Sequence, residues 1–221
     1  MGEAKLKLLY EGGPADLNRL DLYEGAISLE GVARAIAITT HAYINGEVRT
    51  HGDAAKGAKL YLLPSRNGSF EHNVLVWMAD ATVAGVFFEF LKAAFLEAVG
   101  MSEGQAEMSK ALQRRIEPTI GELPSVLESP LLEAHRTIRE RPEMTLTITR
   151  TRGEKLVTFN SNTLAALQPQ QRTLDEPIVG NVTRYNALSR WGKFYDRTLG
   201  HVVSFLLDDG VSERERSLIT W

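Results

Sequence analysis

The most apolar run of the chain is Ala81–Val99, ATVAGVFFEFLKAAFLEAV. It is about as long as a membrane span, roughly 20 residues, but Glu89, Lys92 and Glu97 interrupt it. Three charges are expensive at the centre of a bilayer, whereas a buried amphipathic helix sets them at its wet edge. The run is therefore expected to be a core helix. Its polar positions are too poor in lysine for a helix lying on a membrane surface. A chain built around such a helix must supply other elements to cover it.

The 221 residues suffice for one large domain or two small ones. A hydrophobic content of 43% with 24% charged residues argues against wholesale disorder. The net charge of −3 predicts no whole-protein field that draws in nucleic acid or anionic membrane. The absence of cysteine removes disulfides, thiolate nucleophiles, iron–sulfur clusters and cysteine-based zinc sites. The opening MGEAKLKLLYEGG has no apolar signal-peptide core, so a cytoplasmic location is expected.

Alternation marks Lys5–Tyr10 as a first strand, and Gly12, Gly13 and Pro14 signal a turn after it. Leu20–Tyr23 is expected to form a short second strand. Ser28 partially caps a helix running from Leu29 to Ile44, which Asn45-Gly46 ends. Ala58–Leu63 and Phe70–Met78 are strand-forming, and Asn67-Gly68 between them is the best hairpin signal in the chain. After the apolar helix, which Gly100 ends, Ser102–Ile116 carries a weaker helical stripe. Ile120–Leu127 and Leu131–Arg139 are expected as separate short helices, with Pro124 and Pro130 near their starts.

Thr145–Thr149 and Lys155–Phe159 flank a turn and resemble a second hairpin, with a short apolar piece, Thr163–Leu167, after it. A polar, proline-containing linker follows. Strands are expected at Ile178–Tyr185 and His201–Leu207, with a bend at Trp191–Gly192, a turn at Asp208–Gly210 and a last strand at Ser217–Trp221. The expected class is α+β: an N-terminal βαββ unit, a helical middle, and a small β-rich, barrel-like C-terminal module. The expected domains are residues 1–140 and 141–221, the second read as a candidate for truncation at its C-terminus. A homo-oligomer is also expected, because the apolar helix has few polar positions and the last strand could expose an edge.

Signals for chemistry are sparse. His41, His51, His72, His135 and His201 fall in no metal-ligand pattern, although His41 and His51 could meet. No nucleophile elbow, phosphate loop or dinucleotide fingerprint is present, and no cofactor or metal is implied. Glu11, Asp16, Asp21 and Glu24 could supply a general acid or a metal, but nothing in their spacing makes them converge. Glu71 and His72 point to opposite faces of their strand.

The segment YNALSRWGKFYDRTLGH interleaves Tyr185, Trp191, Phe194 and Tyr195 with Arg184, Arg190, Lys193 and Arg197. Aromatic faces beside guanidinium groups suit single-stranded nucleic acid or a protein interface, and they also suit the core and wet face of a small sheet. Residues 1–135 hold 12 Lys and Arg against 18 Asp and Glu, a net of −6, and residues 136–221 hold 13 against 10, a net of +3. That is a mild polarity rather than a basic domain.

Taken together, RLDLYEGAISLEG, PSRNGSFE and GNVTRYNALSRWGKFYD resemble segments of uncharacterised bacterial proteins, some of which sit among anti-phage defence genes. The resemblance implies a bacterial sensor, adaptor or regulatory component and carries no functional residues. The expected function is non-enzymatic: a recognition module for a partner protein or small ligand, with the eight residues of 184–197 named above as its contacts. The alternatives are a single-stranded nucleic-acid-binding protein using the same residues, and a carboxylate-dependent hydrolase drawing on Glu11, Asp21, Glu71 and His72.

Overall fold

The computed structural model describes residues 2–50, 55–64, 70–80, 86–101, 112, 119, 122–151, 153–168, 178–186, 191–198, 201–208 and 210–217. The chain divides into two compact units, Met1–Leu167 and Gln168–Trp221.

The first unit is organised around β1, Gly2–Glu11. Its even-numbered residues Ala4, Leu6, Leu8 and Tyr10 are buried, while Glu3, Lys5 and Glu11 on the other face are exposed. This period of two turns one face of the strand to the core, while one edge pairs with β3, Glu71–Met78, and the other with β4, Thr145–Arg150, both antiparallel. β2, Ala58–Leu63, pairs outside β3, and β5, Lys155–Phe159, pairs outside β4. The sheet order is β2-β3-β1-β4-β5. The turn expected at Asn67-Gly68 lies outside the described residues, as do His51 and all but residue 112 of the helix expected at Ser102–Ile116.

The expected second strand does not form. A short 3-10 helix, Gly13–Leu17, follows β1, and α1 begins at Leu22 and runs to Asn45. Its cap is Asp21, whose carboxylate accepts from the Tyr23 and Glu24 backbone N–H groups at 3.0 Å each. Ser28 is not a cap. It lies inside α1 and donates to the Ala134 carbonyl at 2.6 Å, while Tyr10 Oη sits 2.9 Å from the same hydroxyl. Gly46, in the left-handed conformation, ends α1 as expected.

α2, Phe87–Ala98, buries Phe87, Phe90, Leu91, Ala94 and Phe95, the helical stripe of the apolar run. α3, Leu123–Ala134, continues through Pro130, where a break was expected. Proline costs a helix one backbone hydrogen bond, and burial against α1 outweighs that loss here. A Cβ at Gly31 would lie 2.5 Å from the Pro130 carbonyl oxygen and closer still to Ala134 N, so only glycine allows the two helices this approach. α4, Arg136–Glu140, and α5, Ser161–Leu167, are the remaining described helices of the unit.

The barrel-like C-terminal module is overturned. The β4–β5 hairpin belongs to the five-stranded sheet, because Leu146 and Ile148 fall opposite Tyr10 and Leu8 and extend the same buried face. What remains is a three-stranded antiparallel sheet of β6, Gly180–Asn186, β7, Trp191–Asp196, and β8, His201–Leu206, in the order β6-β7-β8. Three strands in that order form an open sheet, too few to close a barrel. Trp191–Gly192 begins β7 rather than bending the chain. The turn at Asp208–Gly210 is present, with Gly210 N donating to Asp208 Oδ1 at 2.8 Å. Where a last strand was expected, Ser217 ends a short helix, α6, Glu213–Ser217, and 218–221 lie outside the described residues.

Candidate functional site

The turn between β1 and α1 is a rigid corner. Gly12, at φ 88°, faces the Glu143 carbonyl, leaving no room for a side chain. Gly12 N donates to Asp16 Oδ1 at 2.8 Å, and Arg19 N donates to the Pro14 carbonyl at 3.0 Å. Asp21 caps α1. At the third residue of its first turn, Glu24 accepts from both Arg136 Nε and Arg136 Nη2, the latter at 3.2 Å, which ties α1 to α4. Leu20 turns inward over Gly25.

This fixed backbone displays Leu17 at 68%, Leu22 at 87% and Tyr23 at 68% exposure. Scattered single apolar side chains are normal on a surface; these three stand within seven residues of one braced turn. The sequence hid this corner, because Leu20–Tyr23 reads as a short strand, whereas Leu22 and Tyr23 open α1.

The elements behind the corner are joined by buried polar contacts. The Tyr10–Ser28–Ala134 chain links β1, α1 and α3, and burial pushes the Tyr10 hydroxyl up to about 12 despite its bond to Ser28. His135 stands between α3 and α4. Its Nδ1 donates to the Leu131 carbonyl at 2.6 Å, which leaves Nε2, 2.8 Å from Thr163 Oγ1, to accept when the ring is neutral. Burial holds His135 below the ordinary histidine value, against the opposing pull of the Leu131 bond.

The carboxylates and imidazole named for hydrolysis serve separate tasks. Glu11 is exposed at the end of β1, and Asp21 is a helix cap. Glu71 pairs with Lys7 at 2.9 Å, while His72 packs edge-on against Phe70 and Tyr10 on the other face of β3. Among the described residues, no group of three or more His, Asp or Glu is placed to hold a metal ion. His41 is also buried; its Nδ1 accepts from Asn45 at 3.1 Å.

In the second unit, register distributes the 184–197 residues over alternate rows. Tyr185, Gly192 and Phe205 form one row, and Val182, Phe194 and Val203 another two residues along β7. The rows of Trp191, Lys193 with Arg184, and Tyr195 alternate with these. Successive rows face opposite sides of a sheet. Tyr185 and Phe205 reach over Gly192 with parallel rings, centroids 6.2 Å apart, whereas Tyr195 is 38% exposed on the opposite face. Arg197 is exposed after β7, its backbone N–H bonded to the Val179 carbonyl at 3.0 Å. Arg190 lies outside the described residues.

Fold and corner together define an α+β protein with helices packed on an antiparallel sheet and an apolar turn displayed at one end. Residues 6–125 match the family described as Domain of unknown function (DUF7946), and the chain belongs to that family. No curated protein and no solved structure matches it. Among the described residues, no helix is long and apolar enough to cross a membrane.

Proposed function

We propose that the chain is a non-catalytic recognition module that works in the cytoplasm and binds a protein partner through the Leu17–Tyr23 corner. The observation that carries this reading is the joint exposure of Leu17, Leu22 and Tyr23 on a turn held at both ends. Burying a large apolar side chain is worth roughly 1.5–3 kcal/mol. Because the Asp21 cap and the Glu24–Arg136 pair already order the turn, little of that gain would be lost to ordering it. The resemblance to uncharacterised bacterial proteins supports a place in a sensor, adaptor or defence assembly.

A photo-reactive phenylalanine analogue placed at Leu22 tests the proposal in cells, with the same analogue at exposed Lys5 as control. The expected result is one discrete crosslinked protein from Leu22 only, lost when Tyr23→Ser is added. Equal crosslinking from both positions, or none from Leu22, would refute it.

A further inference from the structure

We propose that the partner of this corner presents an apolar segment flanked by Lys or Arg. The inference rests on the reading that the corner binds a protein, and it adds the chemistry of that protein. The exposed charges around the apolar side chains are mostly carboxylates. Glu11 ends β1, and Asp16 and Asp21 lie in the turn itself. Glu143 reaches the same turn, since a Cβ at Gly13 would lie 2.9 Å from its Oε1. The exposed cations are Arg19 within the turn and Arg141 two residues before Glu143, against four carboxylates; Arg136 is already engaged with Glu24 and lies 3.8 Å from Glu140.

A partner closing over Leu22 and Tyr23 would strip water from these carboxylates, which is costly unless it brings opposite charge. A second copy of this chain would bring the same carboxylates against them, and an acidic partner would be repelled in the same way. The apolar side chains therefore supply the contact, and the acidic rim selects a basic neighbour.

The test uses the full chain and two fluorescent amphipathic helical peptides with identical leucine positions. One carries lysine at its polar positions and the other glutamate. The lysine peptide is expected to bind about tenfold more tightly or better, and to weaken between about 0.05 M and about 0.3 M salt. Glu11→Gln with Glu143→Gln, both exposed positions, should shrink that preference by about threefold or more. Leu22→Ser with Tyr23→Ser should abolish binding.

If both peptides bind equally and both are lost in the serine variant, the charge inference falls while the corner reading stands. Lysine-peptide binding that survives the serine variant overturns both. An unchanged preference in the glutamine variant, binding by neither peptide, or a dimer that depends on Leu22 and Tyr23 in sedimentation each overturns the basic partner.

Discussion

The two sheets of the molecule are built alike, yet among the described residues only the first carries a buried apolar core. Both are antiparallel, and in both, alternate residues define two faces. In the first unit Tyr10, Phe90, Phe159, Leu6 and Leu8 are fully buried because α1, α2 and α5 pack against the sheet and α3 and α4 pack against those helices. In the second unit Tyr185, Phe194, Val203 and Phe205 are only half-buried, and Val182 and Tyr195 are exposed. Alternation makes a sheet two-faced; it becomes a folding core where something covers one face. The corner of α1 shows the same rule locally, since Leu22 stands on an extension of a buried stripe and is exposed because nothing described covers it.

The largest effect expected from this difference comes from Gly31→Val. The added side chain would force α1 and α3 apart, and the first unit should lose about 3 kcal/mol or more in urea unfolding. Phe90→Ala should cost about 3–5 kcal/mol, whereas Phe205→Ala should cost only about 1 kcal/mol. Equal losses at these two phenylalanines would break the contrast between the units.

Ser28→Ala leaves the buried Tyr10 hydroxyl and the Ala134 carbonyl without their shared partner and should cost about 1–3 kcal/mol. Tyr10→Phe keeps the Ser28–Ala134 bond and should cost about 1 kcal/mol. The same tyrosine predicts an alkaline limit. Its folded value, about 12, lies above its ordinary value of 10.0, so its contribution is whole below pH 10.0 and is lost as pH rises toward 12.

A smaller effect is expected in acid. Burial lowers His135, His72 and His41 below 6.5, so the unfolded chain takes up protons more readily. Their contribution is whole above pH 6.5 and is lost progressively as pH falls below it. Urea midpoints at about pH 7.5 and about pH 5.5 should differ, and His135→Gln should narrow the difference. An identical gap in the variant would remove His135 from the account.

Much of the first unit was legible because local patterns and final packing agree there. The alternation of Lys5–Tyr10, the runs 58–63 and 155–159, and the Asn45-Gly46 stop all became what their residues favour. The misreadings arise where two side chains carry the same local signal. Ser28 and Asp21 are both good caps, and only tertiary contacts turn Ser28 into a core hydroxyl. Pro130 reads as a helix start until Gly31 packs against it. The pairing of β4 with β1 joins residues far apart in the chain, so no local window reveals it. The corner was hidden because Leu22 and Tyr23 favour a strand, and a partly buried strand would also have used them.

The central claim is that Leu22 and Tyr23 are displayed rather than folded upon, and urea unfolding of the Leu22→Ser, Tyr23→Ser double variant tests it most directly. The account predicts a midpoint shift equivalent to no more than about 0.5 kcal/mol. A loss of about 2 kcal/mol or more, the size of a core truncation, would contradict it.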